Sequence, residues 1–178
     1  MSAADSGILQ LYQRARLRQA AGAITVLRLG ADQCAFASGS GAAPEALLTV
    51  ALGSRRSAEL FRHVPPTAYE MEEAIMVVED ALAPLRAQLL ADATLYCDDA
   101  LVHEVARHAG IVGGGSEEVW LPTTQLEFTF GRFAEVVQGR PARTEGLPLD
   151  GEFAATLLIV RELTHHLGFD GLYLLPPR

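Results

Sequence analysis

Two stretches of this chain gather residue types that hold metals or move protons. The first contains Asp98, Asp99, His103, Glu104, Arg107 and His108. The two aspartates end a short apolar run, and carboxylates at the C-terminal end of a strand lie where α/β proteins place ligands. His103-Glu104-Val105-Ala106-Arg107-His108 approaches the zinc-protease pattern HExxH. That pattern needs two histidines four residues apart on one helical face. Arg107 occupies the required place, and His108 is rotated roughly 140° from His103 on an ideal helix. The competing reading is a helix cap followed by surface histidines.

The second stretch, Arg161-Glu162-Leu163-Thr164-His165-His166, fails in the opposite way. His165 stands where the second histidine of the pattern belongs, and Arg161 replaces the first. Glu162 and His165 form one ExxH pair, whereas a di-iron bundle needs two such pairs and two further carboxylates. The competing reading is a helix C-terminus whose histidines complement the dipole. Each stretch supplies half a metal site, so the sequence contains no complete metal motif. If both helix ends met in space, Asp98, Asp99, His103, Arg107, His165 and His166 would form one ligand cluster.

Other chemistries are weaker. Gly113-Gly114-Gly115-Ser116 resembles a phosphate cradle in composition, but it follows a helix and precedes a strand, the wrong context. Cys97 and His103 form a possible nucleophile–base pair, though apolar surroundings favour an inert thiol. No GxSxG occurs. All 14 basic residues are arginine. With no lysine there is no P-loop lysine, Schiff-base lysine or kinase-type strand lysine. The two cysteines, Cys34 and Cys97, form no CxxC. No cofactor is implied by any motif.

Composition bounds the rest. The 178 residues carry a formal net charge of −8 and are 49% hydrophobic. This suits one globular domain with its own core. The acidic balance argues against nucleic acid, which requires a basic face; Arg14, Arg16 and Arg18 form the only dense basic cluster. No run reaches the roughly 18 apolar residues of a membrane span, and no leader pattern is visible, so a cytoplasmic location is expected.

Periodicity and punctuation place the elements. A first helix is expected over Ile8 to Ala20, capped by Asp5 or Ser6 and ended at Gly22. Ala23 to Leu29, Cys34 to Ser38 and Ala46 to Leu52 read as an antiparallel meander. Thr67 and Glu70 form a capping box for a helix from Ala68 to Leu90, bent at Pro84. Ala93 to Cys97 reads as a strand, and Ala100 to Ala109 as a helix. Glu118 to Leu121 and Leu126 to Phe130 read as strands, with helix from Phe133 to Gln138. Asp150 caps a last helix over Gly151 to Leu167, closed by Gly168, and Leu172 to Leu175 is a final strand.

The chain thus divides into a helix (1–22), a meander (23–52), a helix-strand-helix unit (67–110) and mixed elements (111–178), all in a single domain. The expected class is α/β, with α+β as the alternative: one mixed sheet with covering helices. Three antiparallel strands followed by α-β-α units resemble the element order of ribonuclease H-like and actin-like domains. The ribonuclease H resemblance implies a two-metal carboxylate site. Glu70 or Glu73 matches its helix position, and Asp98 or Asp99 its fourth strand end. The first strand holds no acid, and Asp32 lies in its turn, so the module would be degenerate.

Failed motifs and apolar composition together lead to the expectation of a non-catalytic accessory, assembly or regulatory protein acting through surfaces, as a homo-oligomer. The alternative is a small-molecule or metal-dependent hydrolytic enzyme using the Asp/His cluster. Partners are then a second copy, another protein or a small molecule, and neither nucleic acid nor membrane.

Overall fold

The chain folds around one six-stranded mixed sheet, seen in a computed structural model that describes residues 3–113 and 117–177. Helix α1 spans Ala3–Arg18. The meander follows as β1 (Ile24–Leu29), β2 (Cys34–Gly39) and β3 (Ala46–Val50). Next come α2 (Ser54–Ala58), α3 (Ala68–Leu82), a 3-10 turn over Ala83–Ala87, β4 (Thr94–Cys97) and α4 (Ala100–His108). The chain ends with β5 (Val119–Pro122), α5 (Thr123–Val137), α6 (Ala142–Glu145), α7 (Gly151–Leu167) and β6 (Gly171–Leu174).

The strand order is β3-β2-β1-β4-β6-β5. β1, β2 and β3 pair antiparallel, β1, β4 and β6 pair parallel, and β5 returns antiparallel to β6. This is the expected α/β class, a meander extended by helix-linked parallel strands. Strand alternation splits the core. Ile24 and Val26 face α1, in a cluster with Ile8, Leu11, Tyr12 and Ala15. Leu27 and Leu29 face the opposite side, with α3, α4, α5 and α7. Helix α7 is the hub of that side and buries every residue from Phe153 to Val160. A helix apolar on all faces is one that neighbours surround.

Local signals set the boundaries. Asp150 Oδ1 accepts from the Phe153 amide at 2.9 Å, and Gly168 closes α7 at φ 78°. Only glycine adopts that left-handed closure without strain. α3 stops at Leu82 rather than bending at Pro84 and running on to Leu90, because Pro84 converts its continuation to a 3-10 turn. The capping box of α3 forms as read. Glu70 also accepts from the Arg62 amide at 2.8 Å and from His63 Nδ1 at 3.0 Å.

These bonds to the charged form, led by the Thr67 backbone amide and His63, hold the Glu70 carboxyl down at about 2. A carboxylate depressed in the folded state contributes stability above its unfolded value, lost as pH falls through the folded one. Acid unfolding should therefore include a loss between about pH 4.5 and about pH 2 that Glu70→Gln removes. Urea titrations at stepped pH measure it; parallel acid limbs for the two proteins would refute the assignment.

Several expectations require correction. Leu126 to Phe130 is not a strand but the middle of α5, whose buried residues Leu126, Thr129, Phe133 and Val136 follow a helical repeat. Helix α1 begins at Ala3, so Ser6 lies inside it rather than capping it. Residues 54–58 form a helix that the meander's punctuation did not signal. The side chain of Asp5, and Gly114, Gly115 and Ser116 of the glycine run, lie outside the described residues.

Candidate functional site

Parallel pairing puts the C-terminal ends of β1, β4 and β6 on one edge of the sheet. There Asp98 and Asp99 follow β4. Asp98 Oδ2 accepts from Arg14 Nη1 at 2.5 Å, and a second nitrogen of Arg14 donates to the Pro176 carbonyl at 2.6 Å. Asp99 caps α4, accepting from the Leu101 amide at 2.9 Å. Burial, with Asp98 adding to it, pushes the Asp99 carboxyl above its ordinary range against the cap bonds. Both aspartates are thus committed to holding the fold.

His103 Nε2 lies 2.8 Å from the Leu175 carbonyl. A carbonyl only accepts, so Nε2 carries the proton and Nδ1 is left as the basic nitrogen. His103 and Arg107 line a cavity of about 270 Å³ whose other walls are mainly apolar: Ile111, Val112, Val119, Pro176 and Pro177. Arg107 and His108 both approach Glu104, at 3.5 and 4.0 Å.

Cys97 does not serve as the nucleophile considered for His103. Its thiol is fully buried and held well above its ordinary value, chiefly by desolvation and then by Asp99. Burial likewise pushes Cys34 up to about 12. The thiols stand on strands separated by β1, about 10 Å apart at normal strand spacing, beyond disulfide reach.

The β1–β2 turn is also closed to ligands. The amides of Ser54, Arg55 and Arg56, the donors at the start of α2, bond the Gly30 and Ala31 carbonyls at 3.0–3.1 Å. Gly53 permits this approach, since a Cβ there would stand 2.3 Å from the Ala31 oxygen. Asp32 in the turn pairs with Arg55 at 2.7 Å.

His165 and His166 lie at the other edge of the sheet. α7 ends just before β6 begins, and Gly168 and Phe169 share a cavity with Asp92, Ala93 and Thr94 at the start of β4. The two near-motifs therefore do not converge. Asp98, Asp99, His103 and Arg107 occupy one end of the strands, and His165 and His166 the opposite end.

At that second end a different set meets. Glu162 and His166 stand four apart on α7, one turn of the same face, and α3 brings Glu79 against them. His166 Nε2 is 3.0 Å from Glu79 Oε1 and 3.1 Å from Glu162 Oε2. The three ligand atoms all lie within 4.8 Å of one another. Two ligands on arms of 2.0–2.1 Å around a tetrahedral metal are about 3.3 Å apart, and the two His166 contacts, 3.0 and 3.1 Å, are hydrogen-bond lengths slightly short of that spacing.

Glu162 is 1% exposed, while Glu79 is 41% exposed, so the set has a buried floor and an open side. Arg161 pairs with Glu162 and reaches Glu127 at 3.1 Å; His165 stands 3.6 Å from the same Glu127. His165 is thus turned to Glu127 rather than to the three-ligand set, and the ExxH pair read in the sequence is replaced by Glu162 and His166. Beside Leu167 lies a cavity of about 270 Å³ whose lining includes Arg86.

Sequence reasoning missed Glu79 entirely, because nothing local ties it to a residue 87 positions away. A signal for Glu162 was present: it is the lone acid in the Phe153 to Thr164 segment, whose other members are apolar, threonine or Arg161.

No family model matches this sequence, and no curated protein does. Solved structures do. A Ppx/GppA enzyme of Aquifex aeolicus superposes with a TM-score of 0.73 at 16% identity, over 94% of this chain and 57% of that one. The type II variant of the Aquifex aeolicus Ppx/GppA phosphatase gives 0.69 at 14% identity, over 94% and 57%. An exopolyphosphatase of Cytophaga hutchinsonii gives 0.70 at 10% identity, over 96% and 58%.

The likeness is one of fold. It agrees with the actin-like order of the strands. The chain spans less than three-fifths of the length of these neighbours. These neighbours are described as enzymes, a finding that corrects the expectation of a non-catalytic accessory, assembly or regulatory protein. Among the described residues, no helix is long and apolar enough to cross a membrane.

Proposed function

We propose that this chain is a metal-dependent hydrolase of phosphoanhydride or phosphoester bonds, with its centre at Glu79, Glu162 and His166. The observation that carries the reading is the approach of one imidazole and two carboxylates from two helices to ligand spacing around a half-open point. Three protein ligands with a fourth position free is the arrangement of catalytic rather than structural metal sites. A divalent ion held by Glu79, Glu162 and His166 would lower the pKa of a bound water and add positive charge beside phosphoryl oxygens.

The chain's own residues set the conditions. Glu162, held by Arg161, fixes the buried side of the centre. His166 is oriented by helix α7 and offers Nε2. Arg86 lines the cavity beside Leu167, the residue after His166, and would pair with a phosphoryl group bound in that cavity. The substrate class is supported by neighbours described as a phosphatase and an exopolyphosphatase, at 14% and 10% identity.

The test is release of inorganic phosphate from polyphosphate and from a nucleoside triphosphate by purified protein, with Mg²⁺, Mn²⁺ or Zn²⁺ added after chelation. Metal-restored turnover is expected. The reading is lost if no metal supports turnover above a protein-free control and calorimetry detects no metal binding.

A further inference from the structure

A cavity of about 390 Å³ opens where β4 and β6 begin. That size falls among small-molecule sites, which run to roughly 300–1,000 Å³. One wall is aromatic. Trp120 of β5 is opposite Tyr173 of β6, and their ring centroids are 4.6 Å apart. The indole lies over bare backbone: a Cβ on Gly171 would stand 2.6 Å from a Trp120 ring carbon and 2.5 Å from the Leu121 oxygen. Gly171 thus admits the ring and Tyr173 flanks it. Trp120 still keeps 39% of its surface exposed.

Asp92 and Asp170 line the same cavity. Extending the pairing of Tyr96 with Tyr173 back by three residues sets Asp170 level with Ala93, so the two aspartates precede neighbouring strands about 5 Å apart. Both are exposed, and neither carboxylate has a hydrogen-bond or ion-pair partner among the described residues. Arg86 lines the adjoining cavity, which shares Asp92, but is paired with neither. Two free carboxylates in one cavity repel each other and attract cations. The net charge of −8 adds to that field. Among the described residues the three-ligand set at metal spacing lies elsewhere, at Glu79, Glu162 and His166. Aromatic faces do not ligate metal ions, whereas they attract ammonium groups.

We propose that this cavity binds a linear aliphatic diamine or polyamine. One primary ammonium donates to Asp92 and a second to Asp170, while the methylene chain between them lies on the Trp120 and Tyr173 rings. Each element of the cavity is matched. Two positive charges answer two unpaired carboxylates, and a primary ammonium has three donors with which to engage them. The apolar stem covers the open indole face, as the stem of a lysine covers apolar surface while its head stays polar. The proposal does not depend on the metal centre, so it is tested on metal-free protein.

Trp120 is the sole tryptophan, so its emission reports occupancy directly. With chelator present and at low salt, putrescine and spermidine should each change that emission saturably, with a dissociation constant of about 1 mM or tighter. Butylamine, which carries one charge, should bind at least about tenfold more weakly, the worth of one hydrogen bond to a charged group. Asp92→Asn and Asp170→Asn should each weaken putrescine by a similar factor. Both positions are exposed, and asparagine tolerates the positive φ of 54° at Asp92, so circular dichroism should not change. If Asp92→Asn nevertheless loses its fold, Asp170→Asn alone decides. Equal putrescine affinity in the wild type and the folded variants overturns the proposal. So does an emission change that NaCl or Mg²⁺ reproduces at matched ionic strength, or no saturable change with either amine up to about 10 mM.

Discussion

Replacing Glu79 with glutamine should weaken divalent-metal binding at least roughly 100-fold and reduce hydrolysis to background, while leaving the fold intact. The size follows from role: a partner that merely orients a ligand is worth about 10–100-fold in affinity, and a direct ligand more. The neutrality follows from position. Glu79 is 41% exposed and its bond to His166 is half solvated, so its loss should cost no more than about 0.5 kcal/mol.

Glu162→Gln should show the same loss of metal with an added loss of stability. Its carboxylate is 1% exposed and pairs with Arg161 and His166. Breaking a fully buried pair costs about 3–5 kcal/mol, and the partial exposure of Arg161 reduces this to about 1–3 kcal/mol. Calorimetric titration and thermal melts separate the two effects. Metal at 100 times the wild-type dissociation constant should stabilise the wild type by about 2.7 kcal/mol and Glu79→Gln by no more than about 0.4 kcal/mol. Equal metal affinity in wild type and Glu79→Gln would remove the centre from consideration.

The largest stability effect should come from the hub helix. Leu157 is fully buried at the middle of α7, in the core shared with α3, α4 and α5. Leu157→Ala removes apolar burial and leaves a cavity that surrounding helices cannot easily fill, at a cost of about 2–5 kcal/mol. For a domain of this size each kcal/mol moves the melting temperature by about 2–4 °C. A fall of at least about 4 °C is therefore expected. Leu157→Met conserves volume and should cost less than about 1.5 kcal/mol. Val112→Ala, at a residue 89% exposed, should be silent within about 0.5 kcal/mol. If Leu157→Ala melts with the wild type, α7 is not the hub described.

The contrast between these positions reflects how information is held in the chain. Thr67 and Glu70, Asp150 and Phe153, and Gly168 act over three or four residues. Their consequences, two helix starts and one helix end, were legible directly. So were the three meander strands, because β-branched runs and glycine turns are local signals, and the element order led to the correct fold class.

Leu126-Glu127-Phe128-Thr129-Phe130 shows where this fails. Five residues of alternating apolar character satisfy a strand period, yet the same stretch gives Leu126, Thr129 and Phe133 a helical face. Packing against α7, not local preference, decides between the two readings.

The site belongs to the same category. The sequence alone supplied both near-motifs, the missing lysine and a lone acid in the Phe153 to Thr164 segment. It placed the histidines on two helix ends but could not say on which side of the sheet each end would emerge. Parallel pairing of β4 with β6 decided that, sending Asp98 and His103 to one edge and His166 to the other. The packing of α3 on α7 then brought Glu79 to His166 across 87 residues of chain. Caps and periods are written in neighbouring residues, whereas a convergence of side chains depends on which helix faces pack together, a property that exists only once the core has formed.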